Sequence, residues 1–296
     1  MCIRDRDYIL TQEEFSPESC LFFDIETTGL SWKTSHLYLL GAVFYENEIW
    51  IHRQWFCQKP GEEKEVLLAF SELLSTRKLL LHYNGTTFDV PYLMHKYTFY
   101  QLPSPWEGTR QMDLYQLFSP LKKLLHLDHM RQKDLEQAIG LFRKDRYSGG
   151  KLIEVYKKYL LSGDEDLLEM LRLHNKEDVD GMLHLLPLFS IRALWTGNCQ
   201  EFITCNHTPE NNLILSVQPK YPFPDKGYGI GHRKLQGIHR RQVRIVWPEK
   251  RHFSDSGPGE SKERGIAQTG SDGNRPMRKH DTQRIQILKP PFIFKS

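Results

Sequence analysis

The sequence predicts an α/β domain, a mixed sheet flanked by helices, with a poorly ordered C-terminal tail. Three patterns carry that expectation. Between residues 20 and 205, apolar runs of strand length alternate with segments of helical period. Two of those runs are joined by a connection short enough to force an antiparallel hairpin. Beyond Pro219 the periodicity gives way to Gly, Pro, Ser and Arg, a composition that buries too little to order itself.

Cys20–Ile25 (CLFFDI) reads as a buried strand. Leu37–Tyr45 and Ile49–Phe56 follow as strands, with Glu46-Asn47-Glu48 as the turn. Glu62–Thr76 places Val66, Leu67, Phe70, Leu73 and Leu74 at helical spacing after Pro60-Gly61. Lys78–Tyr83 returns as a strand and runs into the turn signal Asn84-Gly85. Phe88–Thr98 is helical, with Pro91 tolerated near its first turn. Asp113–Phe118, Leu121–Leu125 and Lys133–Ile139 read as short helices, and Lys151–Leu161 and Asp164–Pro187 as longer ones. The order β-β-β-α-β-α, then helices, joins an antiparallel hairpin to parallel strands. That is the ribonuclease H-like order.

Composition narrows the class. No apolar run approaches the ~18–20 residues that span a bilayer, so no membrane role is expected. Met1–Asp7 is charged where an export signal is apolar. Five cysteines without a CxxC pair argue against a disulfide scaffold and for a reducing, cytoplasmic setting. The net charge of +3 conceals an asymmetry: residues 219–296 hold 17 Lys+Arg against 7 Asp+Glu, so the preceding chain is acidic. An acidic body with a basic tail suits a metal-dependent enzyme that meets nucleic acid. We read residues 1–14 as a disordered leader, 15–205 as the folded domain and 206–296 as a basic, low-order tail. The leader MCIRDR resembles a translated assembly artefact, and a shifted frame after about Pro224 would explain the change in composition.

Four acids stand out. Asp24 and Glu26 are two apart on a strand and project from one face, and Thr27-Thr28-Gly29 then ends the strand. Asp89 opens a helix after HYNGTTF, and Asp178 lies on a distant helix in LHNKEDVDGM. Taken singly, each has a plain structural alternative: a solvated strand end, a helix N-cap, a charged helix face. Together they are the oxygen donors that hard cations such as Mg²⁺ or Mn²⁺ require. Two such ions activate a water and stabilise the leaving oxygen of a phosphodiester.

FDIETTGL, HYNGTTFDV and HNKEDV, in that order, resemble the three motifs of the DEDD superfamily of 3′–5′ exonucleases. PLKKLL at 120–125, SGG at 148–150 and HNKEDV at 174–179 bring the chain nearest to the YprB-type ribonuclease H-like domain. The resemblance covers roughly residues 15–195. It implies that Asp24, Glu26, Asp89 and Asp178 bind two divalent cations, and that the chain cuts nucleic acid from a 3′ end. It further suggests that Thr27 and Thr28 amides hold the terminal nucleotide and that Leu30 wedges against its base. Two rivals stand beside it: an endonuclease using the same acids, and a nucleic-acid-binding module without activity.

His174 precedes Asp178 by four residues, about 400° of helix, so the two share a face, whereas Leu173 is about 140° off it. An imidazole there suits the proton acceptor of hydrolysis. The superfamily's tyrosine branch places Tyr at this spacing, and its histidine branch places His one residue earlier. We therefore expect His174→Ala to lower turnover and leave metal binding nearly intact. Asn84 is either a substrate contact or an ordinary turn residue, and Asp113 a supporting acid or a helix cap. Cys199, Cys205 and His207 lack a fourth zinc ligand and read as incidental. Lys122, Lys123, Arg143, Lys144, Arg146 and Lys151 read either as a phosphate track or as solvated faces.

Overall fold

In the computed structural model the described residues are 15–145, 147, 149–195, 199–207, 212–219, 228–230, 233–239 and 242–248. The central strand is β1, Cys20–Thr27. It pairs antiparallel with β2 (Leu37–Glu46), which pairs with β3 (Ile49–Phe56). Asn47 and Glu48, both at positive φ, close that hairpin as its two-residue loop. On its other side β1 runs parallel to β4 (Leu79–His82), reached through helix α1 (Glu63–Ser75). After α2 (Asp89–Phe99), β5 (Arg110–Asp113) adds a further parallel strand, giving the order β3-β2-β1-β4-β5.

The period of β1 sorts the core into two layers. Leu21, Phe23 and Ile25 face α1 and α2, meeting Leu67, Phe70 and Leu93. Cys20 and Phe22 face the other side, where Leu114 and Phe118 of α3 (Leu114–Phe118) and Val179 and Met182 of α6 (Glu165–Leu185) cover them. Asp24 and Glu26 continue that second face. Between α3 and α6 come α4 (Gln132–Ala138) and α5 (Gly149–Ser162), and α7 (Leu188–Trp195) follows. The mixed, helix-flanked sheet expected from sequence is therefore present.

Two elements differ from the expectation. Strand β5 was not expected, because RQMD is short and polar and gains its place only by pairing with β4. Leu121–Leu125 is not a helix; a 3₁₀ turn at Ser119–Leu121 runs into turns, and His126 adopts positive φ. Further strands follow α7. β6 (Cys199–His207), β7 (Asn212–Pro219), β8 (Tyr228–Ile230), β9 (Arg233–His239) and β10 (Gln242–Pro248) form a second, antiparallel sheet ordered β6-β7-β10-β9-β8. A compact unit extends to Pro248. Leu213, Ile214 and Leu215 pair with Trp247, Val246 and Ile245, an apolar run that the average composition of the tail conceals. The leader 1–14 and the tail 249–296 lie outside the described residues. Among the described residues no helix is long and apolar enough to cross a membrane.

Candidate active site

The site forms where the second face of β1 runs out under α6. Asp24 is half-buried and Glu26 is 9% exposed. Burial, then the charges of Asp178, Asp89 and Glu26, push the Asp24 carboxyl well above the ordinary carboxylate range. Glu26 is raised in the same way, by burial first and then by Asp178 and Asp89. Asp89 opens α2 and reaches back to β1. Burial pushes it up to about 7, although its own amide and that of Ile25 favour the carboxylate. The charges of Asp178 and Asp89 thus bear on both acids of β1.

His174 lies inside this cluster rather than beside it. Its Nε2 is 3.1 Å from Asp178 Oδ2 and 3.5 Å from Glu26 Oε1. Ligand atoms of Glu26, His174 and Asp178 all fall within 4.8 Å of one another, the spacing a metal ion needs. The opposite ring nitrogen, Nδ1, is 2.7 Å from Asp145 Oδ2. Asp145 also accepts from Lys133 Nζ at 2.8 Å and from the Tyr147 amide at 2.9 Å. Burial opposes ionisation of Asp145, but Lys133, Tyr147 and His174 together hold its carboxyl below the usual range.

Several residues of the site were missed in the sequence. Asn175, fully buried, donates Nδ2 to the Asp24 carbonyl at 3.3 Å and to Asp24 Oδ2 at 3.1 Å. It accepts from Gln54 Nε2 at 2.9 Å, and it fits because position 41 is glycine. Arg143 is neither a phosphate track nor a solvated face. Its guanidinium grips the buried Glu136 at 2.5 and 2.7 Å and donates Nη1 to Asp178 Oδ1. Gln132 Nε2 binds the Asp178 carbonyl at 2.6 Å. The HN dipeptide before Asp178 was a signal for Asn175. Arg143 and Asp145 sit in a loop without period, where Arg143 is marked only by its charge and Asp145 by nothing local.

The remaining candidates are spread around this centre. The Thr27 hydroxyl donates to the Gly29 carbonyl at 2.8 Å, and the Thr28 hydroxyl accepts from the His36 amide at 2.9 Å, so both shape the turn after β1. Leu30 is 86% exposed. Asn84 sits at positive φ with its amide on Asp113 Oδ1 at 2.8 Å. Asp113 caps α3 through the Tyr115 amide at 3.0 Å and accepts the Asn84 amide in the turn that leads to Asp89. Cys199, Cys205 and His207 lie on β6. Lys122, Lys123, Lys144 and Lys151 are exposed, and Arg146 lies outside the described residues.

Fold and site define an α/β domain with an acid-and-imidazole cluster at the carboxyl end of its central strand. Residues 21–189 match the RNase_H_2 model of the RNase_H superfamily, and the chain belongs to that superfamily. The family B DNA polymerase of the hyperthermophilic archaeon Pyrobaculum calidifontis is similar at 14% identity, over 67% of this chain and 32% of its own, with a TM-score of 0.47. E. coli exonuclease I in complex with a dA16 oligonucleotide is similar at 16% identity, over 67% of this chain and 54% of its own, with a TM-score of 0.36. The zinc-bound form of the E. coli ExoI–ssDNA complex gives 16%, 66%, 53% and 0.37. This chain thus spans between 32% and 54% of the length of these structures. No curated protein matches it.

Proposed function

We propose that this protein is a divalent-cation-dependent nuclease, acting as a 3′–5′ exonuclease of the DEDD type. One observation carries the reading: Asp89 of α2 and Asp178 of α6, distant in sequence, come near enough to β1 for their charges to bear on both Asp24 and Glu26, with His174 Nε2 3.1 Å from Asp178 and 3.5 Å from Glu26. The donor set fits hard or borderline cations, and the basic neighbours do not neutralise it. Lys133 is committed to Asp145, and Arg143 to Glu136 as well as Asp178.

In this reading Asp24, Glu26, Asp89 and Asp178 hold two ions, Mg²⁺ or Mn²⁺, with His174 part of the reacting centre. Bound divalent ions lower the pKa of the attacking water and stabilise the leaving oxygen. The chain does the rest. Asn175 and Gln54 fix Asp24, while Arg143 and Gln132 fix Asp178. The Thr27 amide, exposed Leu30 and Asn84 receive the strand end, and nucleoside monophosphates leave; the Thr28 amide is instead spent on the His36 carbonyl at 2.9 Å.

The test is incubation of the full chain with 3′- and 5′-labelled DNA and RNA, with and without Mn²⁺. Mononucleotide release from the 3′ end of linear strands only is the expected result. Rapid cutting of a circular single strand would replace the exonuclease with an endonuclease. Binding of either nucleic acid without any cleavage would leave only a binding module.

A further inference from the structure

The surroundings of His174 are those of a ligand. An ionised carboxylate only accepts hydrogen bonds, so the 2.7 Å contact with Asp145 places the ring proton on Nδ1. Asp145 is itself fixed from three directions, by Lys133 at 2.8 Å, by the Tyr147 amide at 2.9 Å, and through its own amide, which donates to Glu177 Oε2 at 2.9 Å. Nε2 then faces carboxyl oxygens of Asp178 and Glu26, 3.1 and 3.5 Å away. An approach this close needs a positive centre between nitrogen and oxygen, either a proton or a cation that displaces it. Ligand atoms on adjacent corners of an octahedral ion with bonds of about 2.1 Å are about 3 Å apart, close to the observed spacings. A histidine whose second nitrogen donates to a carboxylate is the usual state of a metal-bound imidazole.

We propose that Nε2 of His174 is a direct ligand of the cation site formed with Glu26 and Asp178, that Asp145 is its positioning residue, and that the site consequently prefers Mn²⁺ to Mg²⁺. Resting on the nuclease reading for the presence of the ion, this goes further in assigning which atom holds it and which ion is held. Imidazole suits transition ions, whereas Mg²⁺ takes oxygen donors. It also replaces the free proton acceptor that helical register alone suggests for this ring, because a lone pair given to a cation is not open to a proton.

The experiment uses the full chain loaded with Mn²⁺ and reads nitrogen hyperfine coupling by pulsed EPR, with Mn²⁺ and Mg²⁺ affinities from calorimetry. Directly bound nitrogen is expected in the unaltered protein and lost in His174→Ala. Asp145→Asn should weaken Mn²⁺ binding by about 10–100-fold. His174→Gln, which substitutes an oxygen donor, should lower the ratio of Mn²⁺ to Mg²⁺ affinity. Mn²⁺ bound by the unaltered protein without a coordinated nitrogen overturns the proposal, whether or not the variants fold. Nucleotide release alongside that result would leave the nuclease reading intact. Nitrogen coupling without nucleotide release with any divalent ion would keep the ligand and remove the nuclease.

Discussion

Gly41→Ala offers the sharpest test of how the site is held. In a strand, glycine is ordinarily less favourable than alanine, and the change would on that basis stabilise by about 0.5–1 kcal/mol. Here the sign should reverse. A Cβ at position 41 would lie 2.0 Å from Asn175 Oδ1, 2.8 Å from its Cγ and 3.0 Å from Val179 Cγ2. Val179 needs to give only slightly, but Asn175 is fully buried and its amide is committed to Asp24 and Gln54. Displacing it forfeits two or three hydrogen bonds at about 1 kcal/mol each, more where Asp24 is charged. Net of the strand preference, the loss is about 2 kcal/mol, a fall of about 4–8 °C in Tm for a domain of this size. Thermal unfolding of Gly41→Ala, Asn175→Ala and the pair measures it. With Asn175 truncated the added methyl should be nearly harmless, so the two changes must be strongly non-additive. Additive effects, or a Gly41→Ala protein more stable than its parent, would show that Asn175 is not pinned against β2.

Other outcomes follow from the same geometry. Asp178→Asn should reduce nucleotide release by about 10²–10³-fold or more, measured at saturating Mn²⁺, without destabilising the ion-free fold. Glu136→Gln should cost about 3 kcal/mol in urea denaturation, because it leaves the Arg143 guanidinium, 6% exposed, without its bidentate partner. The ion-free protein should lose stability as pH rises. Asp89, pushed up to about 7 by burial, keeps in the folded state a proton that the unfolded chain has released above about pH 4. The contribution is present at low pH and disappears through pH 7, about 4 kcal/mol at most, with Asp24 and Glu26 acting in the same direction. Melting in EDTA from pH 5 to 8 measures it, and a flat or rising Tm would contradict it.

What could be read from the sequence was whatever a local period determines. The two-residue repeat of β1 places Asp24 and Glu26 on one face, and the helical repeat of α6 places His174 with Asp178, so both pairs follow from spacing alone. The register of β1 against β2 is equally periodic, yet Gly41 opposite Asp24 acquires meaning only once α6 lies across it. Arg143 and Asp145 come from a loop whose course is fixed by Glu177, which accepts the amides of Lys144 and Asp145 at 2.9 Å each. That arrangement involves residues more than thirty positions apart and leaves no periodic trace. The strands of 199–248 were hidden for another reason: averaging composition over a longer window conceals apolar runs such as Leu213, Ile214 and Leu215.

The charges at the site explain why the cations belong to the structure as well as to the chemistry. Lys133 with Asp145, and Arg143 with Glu136, are opposite charges brought to the edge of the cluster, and each pair reaches inward once, to His174 and to Asp178. They orient the inner groups without cancelling them. Asp24, Glu26 and Asp89 are left with burial and mutual repulsion as their main influences, and both drive them toward protonation. A divalent ion competes with those protons, so Mn²⁺ should raise Tm far more at pH 8, where the acids repel, than at pH 5, where protons already relieve them. Equal increments at the two pH values would mean that the ion binds elsewhere, and that these acids do not share the task assigned to them.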